Sequence, residues 1–139
     1  MPAGAGRARP PDAGERGSAV ADFVLVVLVL VPLVLGILQV ALTLFVRNTL
    51  AAAASEGARY AATADRGPAD GVARTRSQVE GAVSGRFARD VSARQVVQDG
   101  QPMIEVTVRA SVPALGLGGP GVDVVVTAHA VEETAQVAP

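Results

Sequence analysis

One imidazole and no thiol are all that this chain offers for nucleophilic or metal chemistry: His129 is the only histidine, and cysteine is absent. Without cysteine, disulfide staples, thiolate ligands and thiol catalysis are excluded. His129 shares a strand register with Asp123 and Thr127, opposite Val122, Val124 and Val126, which makes it a solvated residue on the polar side of a sheet. A lone imidazole there lacks the partners that orient and tune a general base. The acids are scattered, and Glu132-Glu133 reads as a solvated strand end. Gly116, Gly118, Gly119 and Gly121 suggest a phosphate cradle, but the chain has no lysine and no helix opens after them. They read as a hairpin loop. No catalytic constellation, metal site or cofactor site is expected.

Asp22 is different, because it stands on the threshold of an uncharged run. An acid carried to the centre of a bilayer costs about 2.5–3.5 kcal/mol on insertion scales, and less near the interface. It can serve there as an interfacial acid complementing the positive end of a helix. Alternatively it needs a cation. If the chain were cut between Gly17 and Ser18, the new α-amino group would lie four residues away. In a bundle of parallel helices, the amine of one subunit could pair with Asp22 of the next and fix their register.

The element that positions Asp22 is the run itself. Phe23 to Val46 are twenty-four residues without a charge, with Gln39 and Thr43 as the only hydrogen-bonding side chains. As a helix this run is roughly 36 Å long, enough to cross a bilayer core of about 30 Å with some tilt. Apolar on all sides, it belongs in lipid or among other helices. A secretory signal has a shorter apolar core of about 7–15 residues. A cut after Ala53, within Ala51-Ala52-Ala53, remains the alternative. Arginine counts do not orient the span, since Arg7, Arg9 and Arg16 precede it and Arg47, Arg59 and Arg66 follow within twenty residues. The free α-amino group and the short N-terminal tail favour a cytoplasmic N-terminus and an exported C-terminal part. A formal charge of −1 gives no basic surface for nucleic acid. All twelve cationic residues are arginine, which reads as coding bias.

Around the span, residues 1–17 are a disordered leader rich in Ala, Gly, Pro and Arg. A helix runs from Ser18 through the span, kinked at Pro32, and continues on alanines without a strong apolar stripe to about Ala64. Gly57 alone opposes it, at about 1 kcal/mol. Gly67-Pro68 breaks the helix, so residues 18–66 form one segment and 67–139 a small domain. There Asp70 is placed to cap an amphipathic helix, Val72 to Arg89, with Val72, Val79, Val83 and Phe87 on one face. Ile104, Val106, Val108, Ala110 and Val112 alternate with polar residues as a strand. Asp99-Gly100 predicts a hairpin with Ser92 to Gln98, and Val122 to Val131 gives a third strand. The fold class is α+β: a long transmembrane helix, one amphipathic helix and a three-stranded antiparallel sheet. So small a domain buries only about 60% of its unfolded surface and needs help from the helix or from neighbours.

Three stretches together resemble a known family: Arg16-Gly17-Ser18-Ala19-Val20-Ala21-Asp22-Phe23, the apolar run with Pro32 and Gly36-Ile37-Leu38-Gln39, and Glu56-Gly57-Ala58-Arg59-Tyr60-Ala61-Ala62. They look like the TadE-like pseudopilins of tight-adherence (Flp-type) pilus systems, over about Arg16 to Ala64. The resemblance implies a minor pilin-like subunit, matured by a prepilin peptidase on the cytoplasmic side. Gly17 would then be the last leader residue and Ser18 the mature N-terminus. Asp22 and Phe23 would serve subunit assembly. Asp22 falls where the family usually has glutamate, keeping the charge on a shorter arm, and Gln39 falls where many relatives carry an acid. The implied partners are the membrane, the peptidase, other pilin-like subunits and the pilus assembly machinery. The rival to an assembly subunit is a permanent single-span anchor displaying a binding module.

Overall fold

The computed structural model describes residues 13–82, 88–114 and 120–133. Its elements are α1 (Ala13–Ala62), α2 (Pro68–Ala82), β1 (Ala88–Gln98), β2 (Gln101–Pro113) and β3 (Gly121–Val131). The sheet is antiparallel in the order β1-β2-β3. This is the α+β architecture expected, with the long apolar helix first. Val83, Phe87 and the glycines at 116, 118 and 119 lie outside the described residues.

The chain divides into two compact units, residues 1–37 and 38–139. In the first, α1 is exposed on every side. Phe23, Leu28 and Val29 are 67–69% exposed, and Leu33 and Ile37 remain above half. Pro32 lies inside this helix.

In the second unit α1 acquires a buried stripe: Val46, Leu50, Ala53, Ala54, Ala58, Ala61 and Ala62. These recur at three- and four-residue intervals, the spacing of one helical face. The sequence had concealed that stripe because alanine does most of the burying. Small side chains let the helix approach its neighbours closely. The stripe shares one core with Val79 of α2, Val91 of β1, Ile104, Val106, Val108, Ala110 and Val112 of β2, and Val124 and Val126 of β3. The expected dependence of this small domain on the long helix is therefore built into its core.

The two ends of the shared helix fix its direction. At Gln39 the side-chain amide donates to the carbonyl of Pro113, 3.4 Å away, and Pro113 pairs with Gly121 at the start of β3. At the other end the Glu133 N–H, just beyond β3, donates to the Ala62 carbonyl at 2.8 Å. That bond satisfies one of the carbonyls left unpaired where a helix stops. Helix and strand thus run in the same sense. Twenty-three helical steps give about 35 Å, and twelve extended ones about 40 Å. Glu132-Glu133 is thus a tether as well as a solvated strand end.

Three local expectations need correction. α1 opens at Ala13, so residues 13–17, expected to be disordered ahead of a helix from Ser18, are helical, while residues 1–12 of that leader lie outside the described residues. The second helix starts at Pro68 and ends at Ala82, while Ala88 and Arg89, assigned to it from the sequence, open β1. Asp70 is not the residue before the helix but lies in its first turn. Its carboxylate reaches back to accept the Gly67 N–H at 2.9 Å. Gly67 then takes the cap position and Pro68 the first helical one, where its missing N–H costs nothing. The hairpin is as expected and longer. Asp99 and Gly100, with φ of 52° and 77°, join Gln98 to Gln101, the positive-φ pair that suits a two-residue connection.

Candidate functional site

Asp22 and Phe23 stand on the bare part of α1, Phe23 being 68% exposed. Gly17 and Ser18 precede them in the same helix and are exposed, and nothing lies within 4 Å of where a Gly17 side chain would begin. Ser18 and Asp22 are thus one helical turn apart. Among the described residues, Asp22 has no hydrogen bond or ion pair within the chain.

The stretch Glu56 to Ala62 locks α2 onto α1. Gly57 is needed because a methyl group there would stand 1.9 Å from Thr75 Oγ1 and 2.9 Å from the Gly71 carbonyl oxygen. Gly71 is its counterpart, since a methyl on it would meet the Ala61 side chain at 2.9 Å. At this crossing the buried Thr75 hydroxyl donates to the Gly71 carbonyl at 2.8 Å and lies 3.5 Å from the Ala53 carbonyl. Around the rim, Glu56 accepts from Arg74 at 3.2 Å. Tyr60 carries the Arg66 guanidinium 3.8 Å from its ring centre and that of Arg74 at 5.6 Å. Both partners of the Glu56–Arg74 pair are 44% exposed, so it adds at most about 1 kcal/mol. The closely packed glycines do more than the charges.

The outer face of the sheet carries a row that sequence reasoning missed. Arg94, Glu105 and His129 are cross-strand neighbours on β1, β2 and β3. Arg94 Nε donates to Glu105 Oε1 at 2.7 Å, and His129 Nε2 lies 3.0 Å from Oε2 of the same carboxylate. His129 is therefore not a lone solvated imidazole. One row above, the Thr107 and Thr127 hydroxyls meet at 3.3 Å. Half of this row was legible: the two-residue turn at Asp99-Gly100 fixes Arg94 opposite Glu105. The other half depends on the 113–121 connection, whose length in the sheet no motif specified.

The hydrogen bond from Arg94, and then that from His129, hold the Glu105 carboxyl below the usual carboxylate range. Glu105 in turn raises the Arg94 guanidinium. Folded Glu105 takes up a proton less readily than unfolded Glu105. Its contribution to stability is complete above the ordinary glutamate value of 4.5 and disappears as pH falls through the lowered folded value. Glu105→Gln should therefore reduce unfolding free energy at neutral pH, and the two proteins should converge below 4.5. Denaturant titrations across that window check this, with the loss within the small range typical of exposed pairs.

The bare apolar run, Asp22 and the small residues of the crossing on α1 all fall within one continuous stretch. Residues 17–59 match the family of TadE-like proteins. The TadE-like match begins at Gly17 and ends at Arg59, so it takes in Ser18, Asp22, the apolar run and the Glu56-Gly57-Ala58-Arg59 stretch. It agrees with the likeness drawn from those residues. The sheet and α2 lie outside the TadE-like segment. No curated protein and no solved structure matches the chain.

Proposed function

We propose that this protein is a membrane-anchored, pilin-like subunit that helps to assemble a Tad-type pilus or a related secretion apparatus and carries out no catalysis. Its N-terminus lies in the cytoplasm and its sheet domain outside. One observation carries this reading: α1 is apolar and uncovered through Leu38, and from Gln39 onward the same helix is the spine of a folded domain, under a TadE-like match. A helix bare on all sides requires lipid or other helices around it.

The same architecture argues against a secretory signal cut after Ala53. That cut would remove Val46, Leu50 and Ala53 from the core, leaving the sheet without its central cover. A cut between Gly17 and Ser18 leaves the core whole and creates an amine one turn from Asp22. Lateral association of such helices pairs that amine with Asp22 of the next subunit, and the prepilin peptidase is the natural partner for the cut.

The test joins processing to assembly. N-terminal sequencing of the membrane form in its native host is expected to read Ser18, and Asp22→Ala is expected to leave membrane insertion unchanged while lowering subunit cross-linking. A lost pairing of only about 1.4 kcal/mol weakens association about tenfold. A native host protein that keeps Met1 and cross-links equally well with Asp22→Ala would reject the pilin-like reading.

A further inference from the structure

The geometry points to a second contact with the membrane: the end of the sheet formed by Pro113, Ala114 and Pro120 to Val122 is seated in the lipid headgroup–acyl boundary. This inference rests on the anchored reading and goes beyond it, since an anchor does not require the domain to touch the bilayer. Three observations carry it. The sheet end lies beside Gln39, which donates to the Pro113 carbonyl, and Gln39 is inside the uncharged run. The first charge beyond it on α1 is Arg47, eight residues on, so the sheet reaches about 12 Å down the helix past that charge. Counted from Asp22, a hydrocarbon core of about 30 Å takes up about 20 residues and ends near Leu42, which puts Gln39 about 5 Å inside the boundary and Arg47 among the headgroups.

The surface at this level is apolar. Val40, Leu44 and Phe45 on α1 are 61%, 50% and 57% exposed, and Val122 on β3 is 50% exposed. None of Pro113, Ala114, Pro120, Gly121 and Val122 carries a charge. A lipid surface fits these uncharged, exposed side chains. The Gln39 amide is directed onto a backbone carbonyl, as burial away from water demands. Such contacts penetrate about 5–10 Å into the boundary region. They would fix the tilt and height of the domain over the membrane.

The chain contains no tryptophan, so a single introduced one reports its own surroundings. Three full-length variants are reconstituted in phosphatidylcholine–phosphatidylglycerol vesicles with brominated acyl chains: Val122→Trp, Val97→Trp at the opposite end of the sheet, and Leu28→Trp in the span. Val122→Trp is expected to show blue-shifted emission with a roughly twofold loss of intensity, as insertion to acyl depth requires, and Val97→Trp neither. Equal response of Val122→Trp and Val97→Trp overturns the inference. So does a blue shift at Val122→Trp without loss to brominated lipid, the signature of a second copy covering the site. If Leu28→Trp is quenched and Val122→Trp is not, the second contact fails and the anchor stands. If Leu28→Trp is also unquenched, both fail.

Discussion

Leu50→Ala will lower the unfolding free energy of the sheet domain by about 2–5 kcal/mol. Leu50 is fully buried and heads the largest side chains of the core, together with Ile104 and Val46. Its α1 neighbours in the stripe are mostly alanines, which have no spare volume with which to fill the space it leaves. Cavities that cannot collapse lie at the upper end of that range. A domain of this size has only modest stability to spend, so much of the population should unfold. The matching control is Leu28→Ala, which removes the same atoms from a position 67% exposed. Denaturant unfolding in a mild detergent, followed by the far-ultraviolet signal of the sheet, should show a large shift for Leu50→Ala and none for Leu28→Ala.

Gly57→Ala sets two effects of opposite sign against each other. Alanine gains about 1 kcal/mol over glycine in a helix interior. Its methyl group, however, would stand 1.9 Å from Thr75 Oγ1 and 2.9 Å from the Gly71 carbonyl. Rotating Thr75 away breaks its bond to the Gly71 carbonyl and strands a buried hydroxyl, at about 1–3 kcal/mol. Separating the helices instead opens the core, at a similar overpacking cost. The clash wins, and a net loss of about 1–3 kcal/mol is expected. Adding Thr75→Ala should recover only part of it, because the Gly71 carbonyl remains in the way. Differential scanning calorimetry of the two variants and the parent decides this. A Gly57→Ala protein as stable as the parent would mean that the crossing is looser than it stands here.

What the sequence revealed and what it hid follow from how local each signal is. β2 was legible because five apolar residues alternate with polar ones over both of its faces. β1 alternates poorly, and its length could be extended only once β2 was known to accept it. The end of α2 was overrun because Val83 and Phe87 continue the apolar spacing past Ala82, while pairing of Ala88 with Ala110 claims the chain for the sheet. Gly57 read as a weak point in a helix, since propensity sees one helix at a time. Its reason is the second helix crossing over it. Glu56 and Tyr60 were noticed only as part of a family likeness, and their partners, Arg74 and Arg66, became apparent once α2 was folded back.

The direction of β3 constrains how copies can meet. β1 and β3 both run the same way as the spine helix. Antiparallel joining of two β3 edges therefore needs one molecule inverted relative to the other. Copies that point the same way can join sheet edges only as parallel strands, which bond slightly less well per residue. The β1 edge also bears Asp90, Arg94 and Gln95, the sort of residues that discourage such annealing. Copies held the same way up therefore gain little by joining their strand borders.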